Sequence, residues 1–565
     1  LRSLAADSKS GKVTIVAHSN GGLLAKALVN QLENEGGSEA ATLIDQIILI
    51  GSPQFGTPQA IGSLLHGFDS GILARYSDAR ARDFAQNAPF AYNLLPHSDY
   101  YNNSGVTISQ PLISFSDGEA TQKFIDAYGY GVTNATELEN FLLGSEGRVA
   151  PAYSDLINPA KANGHLLNQS NNEYSAISAG WLPPAGIQIH QIAGVGERTV
   201  AGIAYKTTNY CEQAVSALNG WYCANSKKTL GYSPVRVIDG DGTVVEPSAL
   251  VMSTDNQNVK RWWVDVQLVN KNKVFAVEPF RTKHKDLLEI TDVRNLIFNN
   301  LLATSTVTYT YISDTKPVLD AEDRLSFTLH SPLSLSYTEN DGTVVNEQNP
   351  SGRYSEYTRY GEVQVVDIFN EEGQGNIVLN GEETGSFTLE VEQYNGNEKI
   401  AATTYSGIPS SASTVATIEV KGSTIGDTEA LSVDYDGDGT SDFELEPQTG
   451  EEVSLPTELP TEESEPTLEE LVNELKTYID LNVSKKSIKR QLSQQLDSMY
   501  NTYVRVEALR ERHPRFAHLF NTKRLVSLQI KVIERQVNLY QRLRQIDSGV
   551  AGEIKRLLKV IESKL

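Results

Sequence analysis

Short apolar runs alternate with helical patterns over the N-terminal half of the chain. Three of these runs, Val13 to Ala17, Ile44 to Gly51 and Gly186 to Gly194, have the length of buried strands. Strands that are separated by helical stretches predict a parallel α/β sheet. We therefore predict an α/β domain over residues 1–303. Residues of about 58–184 lack the alternation, and we predict that they form a large cap inserted over one edge of the sheet.

Beyond this domain, apolar and polar residues alternate with a period of two in runs such as LSFTL, LSLSY and STVATIEV. Such runs, separated by turn residues, predict an antiparallel β-sandwich over residues 304–446. Residues 447–466 are rich in Pro, Thr and Glu and predict a solvated linker. Helical periodicity resumes at Thr467, which forms a capping-box pattern with Glu470, so we predict an α-helical domain over residues 467–565.

The last part of the helical domain contains apolar residues three, four or seven positions apart, which fall on one face of a helix. They are Leu525, Leu528, Val532, Leu539, Leu543 and Ile546. We predict that this stripe is buried against the neighbouring helices of a hairpin. The alternative is a tail that binds a protein or a component of the cell envelope, because positive charge is concentrated in the same region.

Charge is divided unevenly along the 565 residues. The whole chain has 48 Lys and Arg against 71 Asp and Glu, a net charge of −23. Residues 471–565 hold 19 of the basic and 9 of the acidic residues, so they carry +10, whereas residues 1–470, with 29 against 62, carry −33. An acidic body repels phosphate backbones, which argues against nucleic acid as a partner. No apolar run of about 18 residues is present, which excludes a membrane-spanning helix within this sequence.

Two cysteines, Cys211 and Cys223, lie close together in the segment NYCEQAVSALNGWYC. Their spacing fits no zinc site, so we interpret them as one local disulfide, with two free thiols as the alternative. A disulfide would imply an oxidising compartment and a secreted or cell-surface protein. The sequence opens at Leu1 without an initiator Met or an apolar signal segment, so we expect any signal peptide to lie upstream or to have been removed.

Ser19 lies in the sequence AHSNG, between the first predicted strand and the first predicted helix. A serine at a sharp strand-to-helix turn projects its hydroxyl above the sheet, and the turn needs small residues two positions away on either side, here Ala17 and Gly21. The helix start favours developing negative charge, and the backbone N–H of Asn20 is placed to donate to an oxyanion. We predict that Ser19 is a nucleophile and that His18 has a structural role.

The motif DGDGT occurs twice, at residues 239–243 and 436–440. Only the second copy lies within a calcium-loop spacing, with carboxylates at positions 1, 3, 5 and 9, Gly at 6 and a backbone carbonyl at 7. The predicted ligands are Asp434, Asp436, Asp438, Thr440 and Asp442. Position 12 is Leu445 rather than Glu, so Glu444 or Glu446 would have to substitute. We predict a structural calcium ion here and no cofactor for catalysis. The alternative is a solvated turn.

Four elements follow one another in the α/β region: VTIVAHSNGG, ILIGSPQFGTPQA, GDGTVV and a histidine just before a helix in RTKHKDLLEI. In this order they resemble the lecithin:cholesterol acyltransferase-like lipases of the α/β-hydrolase superfamily, which show VxxVxHSxGG, Thr-Pro-x-x-Gly-[Thr/Ala]-Pro and GDGTVP. The sequence departs from that pattern at Ala17, Ser52 and Val245, none of which is a reacting group. The resemblance covers about residues 1–303.

The resemblance assigns the nucleophile to Ser19, the acid to Asp241 in GDGTV and the base to His284. The spacing agrees with this assignment, because triads of this fold follow the order Ser, acid, His. Of the nine histidines, only His284 follows Asp241 inside the α/β region. Asp239 is the alternative acid.

Several strands normally precede the nucleophile strand of an α/β-hydrolase, and an early loop supplies a second oxyanion donor. Here 12 residues precede Val13. We therefore expect a catalytic domain that is N-terminally incomplete, with further strands and the second donor upstream.

These observations predict a carboxylic-ester hydrolase of lipase type, or a lipid acyltransferase, with an acyl pocket shaped by residues at the ends of the cap. The expected lining residues are Phe55, Tyr100, Tyr101, Trp181 and Leu182. The alternative from another class is an extracellular surface-binding or adhesion protein that retains a vestigial hydrolase scaffold.

Overall fold

The computed structural model describes most of the chain. The described residues are 1–36, 39–68, 77–97, 100, 111–177, 180–217, 220–275, 281–301, 308–330, 332–369, 374–457, 467–512 and 522–563. The chain divides into two compact units, Leu1–Glu458 and Leu459–Leu565.

The first part of the N-terminal unit mixes strands and helices. Its strands are β1 (Val13–His18), β2 (Ile44–Ile50), β3 (Ile113–Phe115), β4 (Gly131–Val132), β5 (Gln188–Val195), β6 (Thr199–Ala217), β7 (Gly220–Val237), β8 (Val259–Asp265) and β9 (Ile312–Ser313). Its helices are α1 (Arg2–Asp7), α2 (Gly21–Gly36), α3 (Ala40–Leu43), α4 (Pro58–His66), α5 (Asp78–Asn87), α6 (Pro89–Tyr92), α7 (Gln122–Tyr128), α8 (Ala135–Leu143), α9 (Gly164–Tyr174), α10 (Glu246–Ala249), α11 (Val266–Phe275) and α12 (Thr291–Leu301).

A five-stranded sheet in the order β1-β2-β5-β8-β9 forms the centre of this part. Its first four strands are parallel, as the sequence predicts, and β9 is antiparallel to β8. Side chains of β2 alternate between two cores. Ile47 packs on the side of α2, whereas Ile48 packs with residues of α12 on the other side. Ile312 and Ser313 fall in the range 304–446 that the sequence predicts as sandwich, but they form β9, which pairs with β8 and completes the α/β sheet instead.

The cap is larger than the range 58–184 predicted from the sequence. Strands β6 and β7 form a long antiparallel hairpin that joins β3 and β4 in a four-stranded sheet of order β4-β3-β6-β7. The hairpin lies between β5 and the GDGTV loop in sequence. A disulfide between Cys211 and Cys223 links its two strands. We did not predict this hairpin from the sequence, because apolar and polar residues do not alternate regularly along its two strands.

Two six-stranded sheets follow in the same unit. Their strands are β10 (Asp323–His330), β11 (Leu333–Glu339), β12 (Val344–Val345), β13 (Ser355–Tyr360), β14 (Val363–Phe369), β15 (Gly375–Gly381), β16 (Gly385–Asn395), β17 (Glu398–Ser410), β18 (Val415–Val420), β19 (Leu431–Asp434), β20 (Phe443–Leu445) and β21 (Glu452–Val453). The sheet orders are β13-β14-β10-β16-β17-β21 and β12-β11-β15-β18-β19-β20.

One apolar core joins side chains of both sheets, among them Phe327, Leu335 and Ile418. We refer to this part of the unit as the sandwich. Strand β11 alternates buried and half-buried residues, which is the period of two read from LSLSY. The sandwich also shares a core with the cap, since Tyr360 and Val363 pack in the same cluster as residues of α4 and β6.

The predicted linker is partly folded. Strand β21 pairs with β17, and Leu455 is buried beside the Cys211–Cys223 disulfide. The backbone N–H of Cys223 donates to the carbonyl of Pro456. Residues 447–457 therefore pack on the N-terminal unit, and residues 458–466 lie outside the described residues.

The C-terminal unit contains the helices α13 (Leu468–Asn482), α14 (Lys486–Arg512), α15 (Thr522–Arg542) and α16 (Ser548–Ser563). The capping box at the start of α13 is present as predicted, since the Thr467 hydroxyl accepts from the Glu470 N–H and the Glu470 carboxylate accepts from the Thr467 N–H. The four helices bury a common core.

The prediction of a buried leucine stripe was wrong. Five of its residues are between 44% and 56% exposed, and only Ile546 is buried. The exposed five are Leu525, Leu528, Val532, Leu539 and Leu543. The core is filled instead by Val526, Ile530, Ile533 and Val537, which occupy a different face of α15. Helix α15 has two apolar faces, and periodicity alone does not determine which one packs.

Candidate active site

Ser19 occupies the turn between β1 and α2. It has a φ of 55°, a left-handed conformation that is costly for a residue with a side chain and is typical of a sharp nucleophile turn. The turn is closely packed, because a Cβ on Gly22 would lie 2.1 Å from Ser52 Oγ. Asn20 precedes the first turn of α2, and its carbonyl accepts from the N–H groups of Leu23 and Leu24.

Three predicted residues meet at the carboxyl edge of the parallel sheet. The Ser19 Oγ lies 2.8 Å from His284 Nε2, and His284 Nδ1 lies 2.8 Å from Asp241 Oδ2. The alternative acid, Asp239, contacts Lys316 and Asn397 instead. The structure therefore brings together Ser19, His284 and Asp241 in a continuous hydrogen-bonded chain.

The Asp241 carboxylate is held by its own loop. Its Oδ1 accepts from the N–H groups of Thr243 and Val244, at 3.1 and 2.8 Å, which leaves Oδ2 for the imidazole. The backbone N–H of His284 donates to the Asp241 carbonyl over 2.7 Å. Asp241 is 1% exposed, so water does not compete for the carboxylate. Acid and base are thus aligned by main-chain as well as side-chain contacts.

His18 contacts the same histidine from the other side. Its Nε2 donates to the carbonyl of His284 over 2.9 Å, and the two rings are 4.7 Å apart. Burial and the neighbouring His284 lower the pKa of His18, which favours its neutral form. His18 therefore helps to hold His284 in place. The position of His18 beside Ser19 in the sequence did not predict this contact.

The protonation of His284 is set by two opposed influences. Burial disfavours the charged imidazolium, but the Asp241 charge and hydrogen bond outweigh burial and raise the pKa of His284 above its ordinary value. A raised pKa makes the imidazole a stronger proton acceptor. It also means that the ring is charged over a wider range of acidic pH.

Two glycines that the sequence analysis passed over leave room for these groups. Gly51, at the end of β2, has a φ of 54°, and a Cβ there would lie 3.0 Å from both Asp241 Oδ2 and His284 Cε1. Gly194, in β5, would bring a Cβ within 2.8 Å of the Asp241 Cβ. The sequence feature that could have identified these glycines is their position at the ends of predicted apolar strands, where a fold of this kind places its active site.

A mostly apolar cavity of about 300 Å³ opens beside Ser19 and His284. Its apolar walls come from the cap and consist of Ala60, Phe68, Ala81, Phe84, Ala85, Phe90, Ala91 and Leu94. Thr57, Gln59, Ser63, Thr243 and Lys285 add polar groups.

The lining predicted from the sequence was wrong for the four of its five residues that the structure describes. Phe55 and Tyr100 are buried in the cap core, and Trp181 packs in the core beneath α2, where its Nε1 donates to Asn30. Leu182 is exposed, and Tyr101 lies outside the described residues. Most of the apolar lining residues come from α4, α5 and α6, whose sequences contain no pattern that marks residues of a cavity wall.

The second DGDGT loop lies far from the triad in sequence and has a different environment. Carboxylate oxygens of Asp434, Asp436 and Asp442 lie within 4.8 Å of one another. Asp438 is not part of this group, and Thr440 is exposed. The Asp434 carboxylate accepts from the N–H of Gly437 and, with its other oxygen, from that of Gly439. The structure thus brings together three of the four predicted carboxylate ligands.

A parallel sheet that carries Ser19, Asp241 and His284 in this order at its carboxyl edge defines an α/β-hydrolase. The chain belongs to the lecithin:cholesterol acyltransferase family, whose model matches residues 3–290, just over half of the chain. No curated protein sequence matches significantly. Among the described helices, none is both long and apolar enough to cross a bilayer.

Solved structures with low similarity include three enzymes or complexes. The Tle4–Tli4 complex is 18% identical, with a TM-score of 0.27 over 44% of this chain and 52% of that chain. The Bacillus licheniformis lipase BlEst2 in propeptide form is 9% identical, with a TM-score of 0.22 over 74% and 83%. Phospholipase PlaB from Legionella pneumophila is 8% identical, with a TM-score of 0.14 over 72% and 77%. The match thus spans about half of the first of these proteins.

Proposed function

We propose that this protein is a serine hydrolase of lipid carboxylic esters that works through an acyl-enzyme. The observation that carries the proposal is the hydrogen-bonded chain from Ser19 through His284 to Asp241, which opens into an apolar cavity. A polar reaction centre beside an apolar space suits an ester whose acyl part is a hydrocarbon chain. Membership of the lecithin:cholesterol acyltransferase family supports a hydrolase or an acyltransferase.

In the first half-reaction Ser19 Oγ attacks the acyl carbonyl carbon, and His284 Nε2 accepts the hydroxyl proton. The carbonyl oxygen becomes an oxyanion, for which the backbone N–H of Asn20 and the start of α2 provide stabilisation. As the oxyanion collapses, the ester oxygen takes the proton from His284 and leaves as the alcohol. The acyl group remains on Ser19 Oγ. Asp241 fixes the imidazole and stabilises its charged form.

In the second half-reaction water attacks the acyl carbon and gives its proton to His284 Nε2. The carboxylic acid leaves, and the proton returns to Ser19 Oγ. If an alcohol takes the place of water, the same steps transfer the acyl group to that alcohol. Hydrolysis and acyl transfer therefore share one triad, and the choice between them depends on which acceptor reaches the acyl-enzyme.

Ester turnover by the full chain before and after Ser19→Ala tests the proposal. We expect kcat to fall by about 10³-fold or more, because the nucleophile is lost. Ser10→Ala, in an exposed turn, is the control and should retain parent turnover. In parallel, a fluorophosphonate probe should form one adduct, located on Ser19 by peptide mass spectrometry. Equal turnover by the parent and Ser19→Ala would contradict the proposal.

The alternative, a binding protein with a vestigial hydrolase scaffold, gains no support from the site. All three triad residues are present and within hydrogen-bonding distance of one another. A folded full-length chain that forms no adduct with the probe would favour this alternative.

We also propose that the loop from Asp434 to Asp442 binds a calcium ion that stabilises the end of the sandwich. Three carboxylates at close range suit a hard cation with oxygen ligands, and the loop follows β19 directly. The residues fit a calcium ion with partial coordination by the protein, since Asp438 and the residue at position 12 do not join the group. The ion would be structural and would take no part in the reaction.

Two further proposals concern location and partner. A disulfide supports a secreted or cell-surface protein, which fractionation of the native host would test.

The exposed leucine stripe on α15 is bordered by the exposed basic residues Arg524, Lys531, Arg535 and Arg542, and this pattern suits an anionic surface of the cell envelope. Vesicles of phosphatidylglycerol should bind the full chain more tightly than vesicles of phosphatidylcholine, and Leu528→Glu should remove the difference.

A further inference from the structure

We propose that the sandwich is part of the catalytic apparatus, and that Glu356 on its edge strand β13 is a positioning residue for His284. The inference rests on the proposed function. From the sequence alone, a β-sandwich that follows a hydrolase domain would be interpreted as a separate binding module. The contacts of β13 point to a different role, because this strand touches both the segment that carries His284 and the walls of the cavity.

Strand β13 faces two cores at once. It is the outermost strand of its sheet and pairs only with β14 among the described strands. Alternate side chains of a strand point to opposite faces. Tyr357 enters the core of the sandwich, whereas Tyr360 enters the core of the cap. Glu356 is also buried, on the side of the α/β part.

Glu356 reaches the segment that precedes the catalytic base. Its carboxylate forms an ion pair with Lys283, the residue immediately before His284. A second ion pair joins Glu356 to Arg281, with 3.6 Å between Oε2 and Nε. The side chains of Glu356 and Arg281 are 6% and 14% exposed, and that of Lys283 is 34% exposed. Removal of one partner of a buried charge pair is costly, because the remaining charge is left without water, and this applies most strongly to Glu356 and Arg281.

A second buried carboxylate connects the same segment to the acid. Glu197 lies 3.4 Å from Arg281 Nη2 and accepts from Asn270 Nδ2 over 2.6 Å. Asn270 also accepts from the backbone N–H of Thr282. The backbone N–H of Glu197 donates to the carbonyl of Gly240, the residue before Asp241. The network therefore runs from the sandwich through residues 281–283 to the loop that carries Asp241.

The same strand supports the cavity. Tyr360 forms a β-bridge with Phe68, a residue of the cavity wall, and their rings meet edge to face at 5.3 Å. Arg359 pairs with Asp78, the first residue of α5, over 2.8 Å. Helix α5 contributes Phe84 to the cavity. One strand of the sandwich thus contacts the base segment and two elements of the cavity wall.

Small displacements of a general base are costly, since a misplacement of about 1 Å can reduce a rate about 100-fold. Glu356→Gln keeps the size of the side chain and removes its charge, which leaves Lys283 without its carboxylate and Arg281 with Glu197 alone. We expect the imidazole to lose its fixed position, so that kcat falls about 10-fold to 100-fold while KM changes less than threefold.

The matched control is Glu390→Gln. Glu390 is another buried carboxylate of the sandwich, and it pairs with Lys206 of the hairpin and with His330, away from the triad. Both variants lose a buried charge between the sandwich and the rest of the unit, so both should lower Tm. Only Glu356→Gln should lower kcat. Glu356→Asp, which keeps the charge on a shorter side chain, should recover part of the loss.

The measurements are kcat and KM for p-nitrophenyl butyrate, the Tm of each full-length variant, and the downfield proton resonance of the His284 Nδ1–H. The resonance reports the hydrogen bond to Asp241 without turnover, and it should broaden or shift in Glu356→Gln and not in Glu390→Gln. If Glu356→Gln fails to fold, the same three measurements on Glu356→Asp test the positioning role, because this variant changes the side chain less.

The outcomes separate the two proposals. Equal kcat and an unchanged resonance in both Gln variants, at similar loss of Tm, would overturn the positioning role and leave the proposed function intact. A parent chain with no turnover and no fluorophosphonate adduct would overturn the proposed function. In that case an unchanged His284 resonance in Glu356→Gln would also reject the positioning role. A shifted resonance would show that Glu356 positions His284 in the structure, although the protein is not a hydrolase.

Discussion

The two DGDGT loops share the turn formed by their last three residues, Asp-Gly-Thr, and differ in their surroundings. In the first, the Asp241 carboxylate accepts from the N–H of Thr243 over 3.1 Å, and in the second, Asp438 accepts from Thr440 over 2.8 Å. The glycine between them has a φ of 95° in one loop and 89° in the other. Asp241 is buried against an imidazole, whereas Asp438 is exposed. The last three residues therefore form the same turn in both loops, whereas the preceding glycine has a left-handed φ of 77° at Gly437 and no positive φ at Gly240. Burial determines the chemistry of the aspartate in this shared turn.

The two aspartates need different partners, because Asp241 is buried and Asp438 is exposed. A buried carboxylate needs a hydrogen-bonding or charged partner in the protein, and Asp241 has His284. Exposed carboxylates at close range repel one another, and a cation relieves this repulsion. One loop thus suits proton transfer, and the other suits an ion.

The largest expected effect is a difference in catalytic rate between substitutions in the two loops. Asp241→Asn should lower kcat by about 10³-fold to 10⁴-fold, because the amide no longer stabilises the imidazolium or its tautomer. The equivalent change in the second loop, Asp438→Asn, should leave kcat within twofold of the parent. Steady-state ester hydrolysis by the two full-length variants checks the difference. Similar losses in both would show that the loops are not functionally distinct.

A smaller effect separates them by calcium. Calcium at about 100 times its Kd should stabilise the parent by about 2.7 kcal/mol, and Asp434→Asn should remove this gain. Thermal unfolding with calcium and with a chelator measures the difference. Asp239→Asn, at a partly exposed position of the first loop, is the matched control and should retain the full calcium response. An equal Tm for the parent with and without calcium would reject the ion.

The smallest effect is a shift in the pH profile. His284 must be neutral to accept a proton, so kcat/KM should rise with pH through a midpoint above the ordinary pKa of histidine, because Asp241 raises the pKa of His284. In Asp241→Asn the raising charge is absent and burial remains, so the midpoint of the residual activity should move to lower pH. An unmoved midpoint would show that another group sets the profile.

The nucleophile could be predicted because its signal is local. Strand β1, the small residues around Ser19 and the following helix are all adjacent in sequence, and sharp-turn sterics leave few alternatives. Asp241 and His284 required the family resemblance and the order of residues, since 43 positions separate them. The supporting contacts of Glu197 and Glu356 carried no signal, because a buried charge looks the same in a sequence as an exposed one.

The errors have physical causes of the same kind. The cavity depends on how α4, α5 and α6 pack, and Phe84 and Phe90 have no pattern that marks them as lining residues. Helix α15 has apolar residues on two faces. The periodicity correctly identified one apolar stripe, but this stripe is exposed and the other face is buried. Strand β9 is only two residues long, and its partner β8 is distant in sequence. Long-range packing determines each of these features.

The core shared by the sandwich and the cap has a consequence for how this protein evolves and can be engineered. Tyr360, Val363 and Val365 pack among residues of the cap, so a chain cut near residue 303 would expose their apolar neighbours to water. Cap and sandwich should therefore unfold in one cooperative transition rather than two. We expect substitutions on one side of the shared core to constrain those accepted on the other, because both sides fill the same packed space.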